Sequence, residues 1–91
     1  MIKNTLKKIK NQINKTIDNY KYLEEKDINV YIEENKICFE VGIWKHQETE
    51  EELQTAYVMD EKVKPSDALT MNTALLLDEM DDIMKNNNST N

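Results

Sequence analysis

The sequence predicts an α+β fold of order α-β-β-β-α, a three-stranded antiparallel sheet with two helices packed on one face. Three features predict it. An apolar stripe with steps of three and four runs from Ile2 to Leu23, a period of two takes over between Ile28 and Trp44, and a broad second stripe spans Ala68 to Met84. At 91 residues and 10.8 kDa the chain has room for one core. Residues 1–85 are accordingly expected to form a single α+β domain, and residues 86–91, which carry no apolar side chain, a disordered polar tail.

Ile2, Leu6, Ile9, Ile13, Ile17, Tyr20 and Leu23 define the first helix, expected from about Ile2 to Glu25. Many of its other positions are weak helix formers, so its stability must come from packing. Ile28, Val30 and Ile32 then alternate with Asn29, Tyr31 and Glu33, and Ile37, Phe39, Val41 and Ile43 alternate with Cys38, Glu40, Gly42 and Trp44. Two strands follow, joined by a tight turn at Glu34 and Asn35, where Asn tolerates the positive φ such turns demand. Lys45 to Glu52 has no internal apolar residue and reads as an exposed connection or the splayed end of a second hairpin, with a third strand from about Leu53 to Met59. Pro65 opens the second helix with Ser66 as its cap, and Leu69, Leu76, Met80 and Ile83 form its stripe. Ala68, Met71, Leu75, Leu77 and Met84 widen that stripe, which implies burial against both the sheet and the first helix. On the uncovered face of the sheet the alternation places Tyr31, Cys38, Glu40 and Trp44, with Tyr57 as a further candidate.

Composition narrows the function. All basic residues are lysine, and the abundance of Lys, Asn and Ile is the mark of AT-rich coding DNA, as in a low-GC bacterium or its phage. Lacking arginine, the chain lacks the planar fork used for bidentate phosphate and guanine recognition. One cysteine closes no internal disulfide, and one histidine with one cysteine makes no zinc site, so no cofactor or metal is expected. No run approaches a membrane span, and the expected location is the bacterial cytoplasm. A single glycine, no phosphate loop and no nucleophile with a base at recognisable spacing argue against an enzyme.

Charge is polarised. Residues 1–26 carry seven lysines and three acids, whereas residues 27–91 carry five lysines and fifteen acids, for a net charge of −6. Glu48, Glu50, Glu51 and Glu52 form one acidic cluster, and Asp78, Glu79, Asp81 and Asp82 another, late in the second helix. Lys3, Lys7, Lys8 and Lys10 near a positive helix start, and acids near a negative helix end, each cost ~0.3–1 kcal/mol. Two arrangements offset this: the helices run antiparallel so that the two groups meet, or the charges serve a partner.

The element order resembles the double-stranded-RNA-binding domain, a resemblance of topology across the ordered chain. It implies a phosphate-holding basic cluster at the start of the second helix, but this chain has Pro65, Ser66, Asp67, Ala68 and Leu69 there. Direct nucleic-acid binding would then fall to the basic face of the first helix, at Lys3, Lys7 and Lys10. The acidic balance favours the opposite role. Carboxylates on a compact frame imitate phosphates and occupy a basic groove, and a small sheet with helices looks like some phage inhibitors, including anti-CRISPR proteins. The sequence-level expectation is a non-catalytic inhibitor, a nucleic-acid mimic, bound to a host or defence protein with a basic surface. Its contacts are Glu48, Glu50, Glu51, Glu52, Asp78, Glu79, Asp81 and Asp82, with Trp44 and Tyr31 as an apolar anchor. The alternative is a homodimeric module using the bare sheet face.

Overall fold

The computed structural model describes residues 1–55 and 63–89. The elements are α1 (Ile2–Thr16), β1 (Ile28–Glu33), β2 (Lys36–Val41), β3 (Trp44–Thr49), a one-turn helix α2 (Glu50–Leu53) and α3 (Pro65–Ser89). The strands form one antiparallel sheet in the order β1-β2-β3. Ile9 and Ile13 of α1 and Leu69, Leu76, Leu77 and Met80 of α3 share one core with Val30, Ile37, Phe39 and Val41, so both long helices cover the same sheet face. The predicted α+β order is therefore the observed one.

Helix α1 is shorter than its apolar period suggests. It stops at Thr16, whose hydroxyl donates back to the Gln12 carbonyl (2.7 Å), and a 3₁₀ turn follows at Ile17–Asn19. Tyr20 is extended (φ −104°, ψ 127°). β-branched Thr16, Ile17 and the Asn19–Tyr20 pair hold little helical propensity against this. Leu23 still reaches the core, because the extended segment runs along α3: the Tyr22 N–H donates to Asp81 Oδ1 (2.8 Å). A spacing of three served an extended chain as well as a helix.

Two turns set the sheet register. Glu34 and Asn35 both take positive φ (52° and 63°), the type I′ pattern that matches strand twist. Gly42 (φ 58°) and Ile43 form a second two-residue loop, closed by the Val41–Trp44 pair, with glycine first as in a type II′ turn. This second turn overturns three expectations. Ile43 is not an inward strand residue but lies at the tip, fully exposed. The third strand is Trp44–Thr49, not Leu53–Met59; Leu53 ends α2, and residues 56–59 lie outside the described ones. The alternation also restarts after the loop, which puts Trp44 on the helix-covered face, opposite Val41, where it packs on the core.

Helix α2 begins with a capping box. Thr49 Oγ1 accepts from the Glu52 N–H (3.1 Å) and Glu52 Oε1 accepts from the Thr49 N–H (3.0 Å). Asn72 Nδ2 donates to the Leu53 and Thr55 carbonyls (2.8 and 3.1 Å), pinning the end of α2 to α3. In α3 Pro65 is the first helical residue, so Ser66 sits inside the first turn and is not the cap. The helix continues to Ser89, so residues 86–89 extend it where a disordered tail was expected.

Candidate functional site

The outward sheet face is formed by Asn29, Tyr31 and Glu33 with their cross-strand neighbours Glu40, Cys38 and Lys36, flanked by Lys45, Gln47 and Thr49. It is not a bare apolar surface. The Tyr31 hydroxyl donates to Glu40 Oε2 (2.8 Å), Asn29 Nδ2 donates to Glu40 Oε1 (3.1 Å), and Lys45 Nζ bonds Glu33 Oε2 (3.2 Å) while lying 5.8 Å from the centre of the Tyr31 ring. Hydrogen bonding to the Glu40 carboxylate raises the Tyr31 phenol above its usual range; Tyr31, then Glu33, raises the Lys45 ammonium well above its own. Beneath these side chains Cys38 is 0% exposed. Tyr31 and Trp44 thus occupy opposite faces of the sheet and make no common anchor.

The glutamate cluster is largely occupied. Glu50 Oε2 accepts the buried Thr5 hydroxyl (2.8 Å), tying α2 to α1, and Glu52 closes the capping box. The Thr49 backbone N–H holds the Glu52 carboxyl below its ordinary pKa. Glu48 faces the helix side of the edge strand beside His46. His46 Nε2 lies 2.9 Å from Glu48 Oε1, within ion-pair distance but outside hydrogen-bond alignment, and the imidazole stacks on Trp44 with ring centres 5.8 Å apart. Glu51 alone of the four has an exposed carboxylate without such a task. The Thr-Glu-Glu-Glu run carried the capping-box signature, and the sequence reading missed it by treating the acids as a block.

The α3 acids are different. Asp78, Glu79 and Asp82 are exposed, and no lysine forms an ion pair with them among the described residues. Asp81 is half-buried and receives the Tyr22 N–H. Tyr20, whose hydroxyl reaches toward the Ala74 carbonyl (3.5 Å), has its phenol pKa raised by burial first and by Asp78 and Asp81 next. The basic start of α1 does not neutralise this cluster. No ion pair joins those lysines to it among the described residues, and the stretch that lies along the acidic part of α3 is the one after α1, where Tyr20 approaches Ala74 and Tyr22 bonds Asp81. Lys3, Lys7, Lys8, Lys10 and Lys15 are likewise exposed and without ion pairs among the described residues.

Next to the acids lie two apolar side chains that the sequence reading placed in the core. Met71 is 45% exposed and Leu75 59%. With 3.6 residues per turn, Met71, Leu75, Asp78, Glu79 and Asp82 share about 100° of the helix circumference. The buried stripe of Leu69, Thr73, Leu76, Leu77 and Met80 takes the opposite side.

Two open grooves flank α1. One of about 250 Å³ lies over β1, lined by Lys10, Ile13, Asn14, Glu25, Ile28 and Val30. The other, of about 430 Å³, lies between α1 and the start of α3, with Lys8 and Lys15 as its charged groups. Neither brings together a nucleophile and a base, and no three His, Cys, Asp or Glu side chains are placed to hold a metal among the described residues. No helix among the described residues is long and apolar enough to cross a membrane. Comparison with known proteins finds no family model, no curated protein and no solved structure that matches the chain.

Proposed function

We propose that the chain is a non-catalytic binding protein that presents the exposed acids of α3 to a basic surface on another protein, of the kind that holds nucleic acid. The observation carrying this reading is that Asp78, Glu79 and Asp82 are exposed and that no lysine pairs with them among the described residues. A rigid helix anchored in the core fixes their spacing, so little ordering cost falls on association. Occupying such a surface excludes its nucleic acid, and binding alone is inhibition. Compared with the sequence expectation, the contact moves away from the glutamate cluster, whose Glu48, Glu50 and Glu52 are engaged within the fold, and away from Trp44 and Tyr31.

The test is capture of bacterial lysate proteins on the immobilised chain, followed by elution with duplex DNA or RNA. Wild-type chain should retain basic proteins that nucleic acid displaces, and the triple variant Asp78→Asn, Glu79→Gln, Asp82→Asn should lose them. Equal capture by both would remove α3 from the contact. A second reading has its own observation, the row Lys3, Lys7 and Lys10 at helical spacing on the exposed side of α1. It supports direct contact with a phosphate backbone, visible as a gel shift that weakens steeply with salt and is lost on changing these lysines to glutamine.

A further inference from the structure

We infer that the outer face of α3 is a docking surface for a basic amphipathic helix of a partner, with Met71 and Leu75 as its apolar seat and Asp78, Glu79 and Asp82 as its charged end. This rests on the proposed function and narrows the partner's basic surface to one kind of element. A contact made by charge alone has no use for exposed apolar side chains. Here Met71 and Leu75, two of the four large hydrophobic residues exposed among the described residues, stand one helical turn apart on α3, and the next turn along the same face carries acids that no lysine pairs among the described residues. From Met71 to Asp82 the face is about 17 Å long at 1.5 Å per residue, or three turns of a facing helix. A partner helix with leucine-type residues at i, i+3, i+4 and i+7 and lysine or arginine flanking them would cover both parts. The apolar groups lose water in the middle, and the cations meet carboxylates that no lysine pairs among the described residues. Unbranched, polarizable methionine at position 71 suits such a seat because it adapts to differing side chains.

The same helix has a well-buried opposite face, so the surface is presented without rearrangement of the core. The outward sheet face offers no competing apolar seat, since Asn29, Tyr31 and Lys45 spread over it bonded to Glu40 and Glu33.

The test uses two fluorescein-labelled 18-residue peptides of equal charge and strong helical propensity. One carries leucines at i, i+3, i+4 and i+7 on a lysine background, and the other carries alanine at those positions. Anisotropy titration against the full chain should show the leucine peptide binding on the order of tenfold more tightly, a gap of about 1.4 kcal/mol. The variant Met71→Ser, Leu75→Ser, with its fold checked by far-UV circular dichroism, should close that gap while leaving the alanine peptide unaffected. Equal binding of the two peptides to wild-type chain would overturn the inference while the acidic contact stands. Binding of neither at low salt would overturn both. A chain that light scattering shows as a dimer, made monomeric by Leu75→Ser and unable to take the leucine peptide, would assign the face to a second copy and also overturn the inference.

Discussion

Replacing Trp44 by alanine should destabilise the fold by about 2 kcal/mol, roughly half of the ~4 kcal/mol typical of a fully buried tryptophan, because Trp44 is half-buried against the core. Its neighbour supplies the control. Ile43 is fully exposed at the tip of the Gly42–Ile43 turn, so Ile43→Asn should change stability by no more than about 0.5 kcal/mol. For a domain of this size the first change lowers Tm by about 8–16 °C and the second leaves it nearly in place. The assay is thermal and urea unfolding followed by far-UV circular dichroism, since Trp44 is the sole tryptophan and its removal abolishes the fluorescence signal. The pair discriminates sharply. If period two ran unbroken through residue 44, Ile43 would be a core residue and Trp44 an outward ring available to a partner. A loss above about 1.5 kcal/mol for Ile43→Asn, or no loss for Trp44→Ala, would refute the turn and the face assignment built on it.

Other consequences follow from particular contacts. Asn72→Leu removes both hydrogen bonds to the end of α2 and leaves two carbonyls without that donor, so it should cost about 1–2 kcal/mol, with faster amide exchange at Gln54 and Thr55. Thr49→Ala should cost about 1 kcal/mol through loss of the cap. The Glu52 carboxyl titrates lower in the folded chain than in the unfolded one, so its stabilisation is present above the unfolded value and disappears as pH falls through the folded one; Glu52→Gln should flatten that acid limb in unfolding midpoints. Tyr20 has the opposite sign. Its phenol pKa is raised on folding, so its contribution is intact below the ordinary value of 10.0 and is lost as pH rises through the folded value, and Tyr20→Phe should reduce the alkaline slope of stability.

The first two strands and the second long helix were legible because their patterns have one reading. Ile28, Val30 and Ile32 alternate cleanly, and Leu69, Leu76 and Met80 repeat at helical spacing. The failures lie where two patterns coincide. Ile17, Tyr20 and Leu23 satisfy helical spacing while their chain leaves the helix at Thr16. Gly42 and Ile43 continue an alternation on paper, yet the lone glycine of the chain, flanked by strand-like residues, was itself a turn signal. Strand β3 was hidden because Trp44, His46 and Glu48 place an aromatic, an imidazole and a carboxylate on the inward side of an edge strand, where apolar residues would have announced it. The acidic runs were legible as charge and illegible as roles. Glu50 and Glu52 differ from Glu79 and Asp82 by what lies beside them, the Thr5 hydroxyl and the Thr49 amide, and that depends on the tertiary fold. Met71 and Leu75 passed for core because width of an apolar arc says nothing about which side finds a neighbour.

The single sulfhydryl, sealed under Tyr31 and its companions on the middle strand, turns the molecule into its own stopwatch. An alkylating reagent reaches Cys38 only when that face comes apart, so under native conditions the labelling rate counts openings of the sheet. Covalent dimers joined through Cys38 would likewise record chains that had already opened, leaving a chemical trace of their excursion.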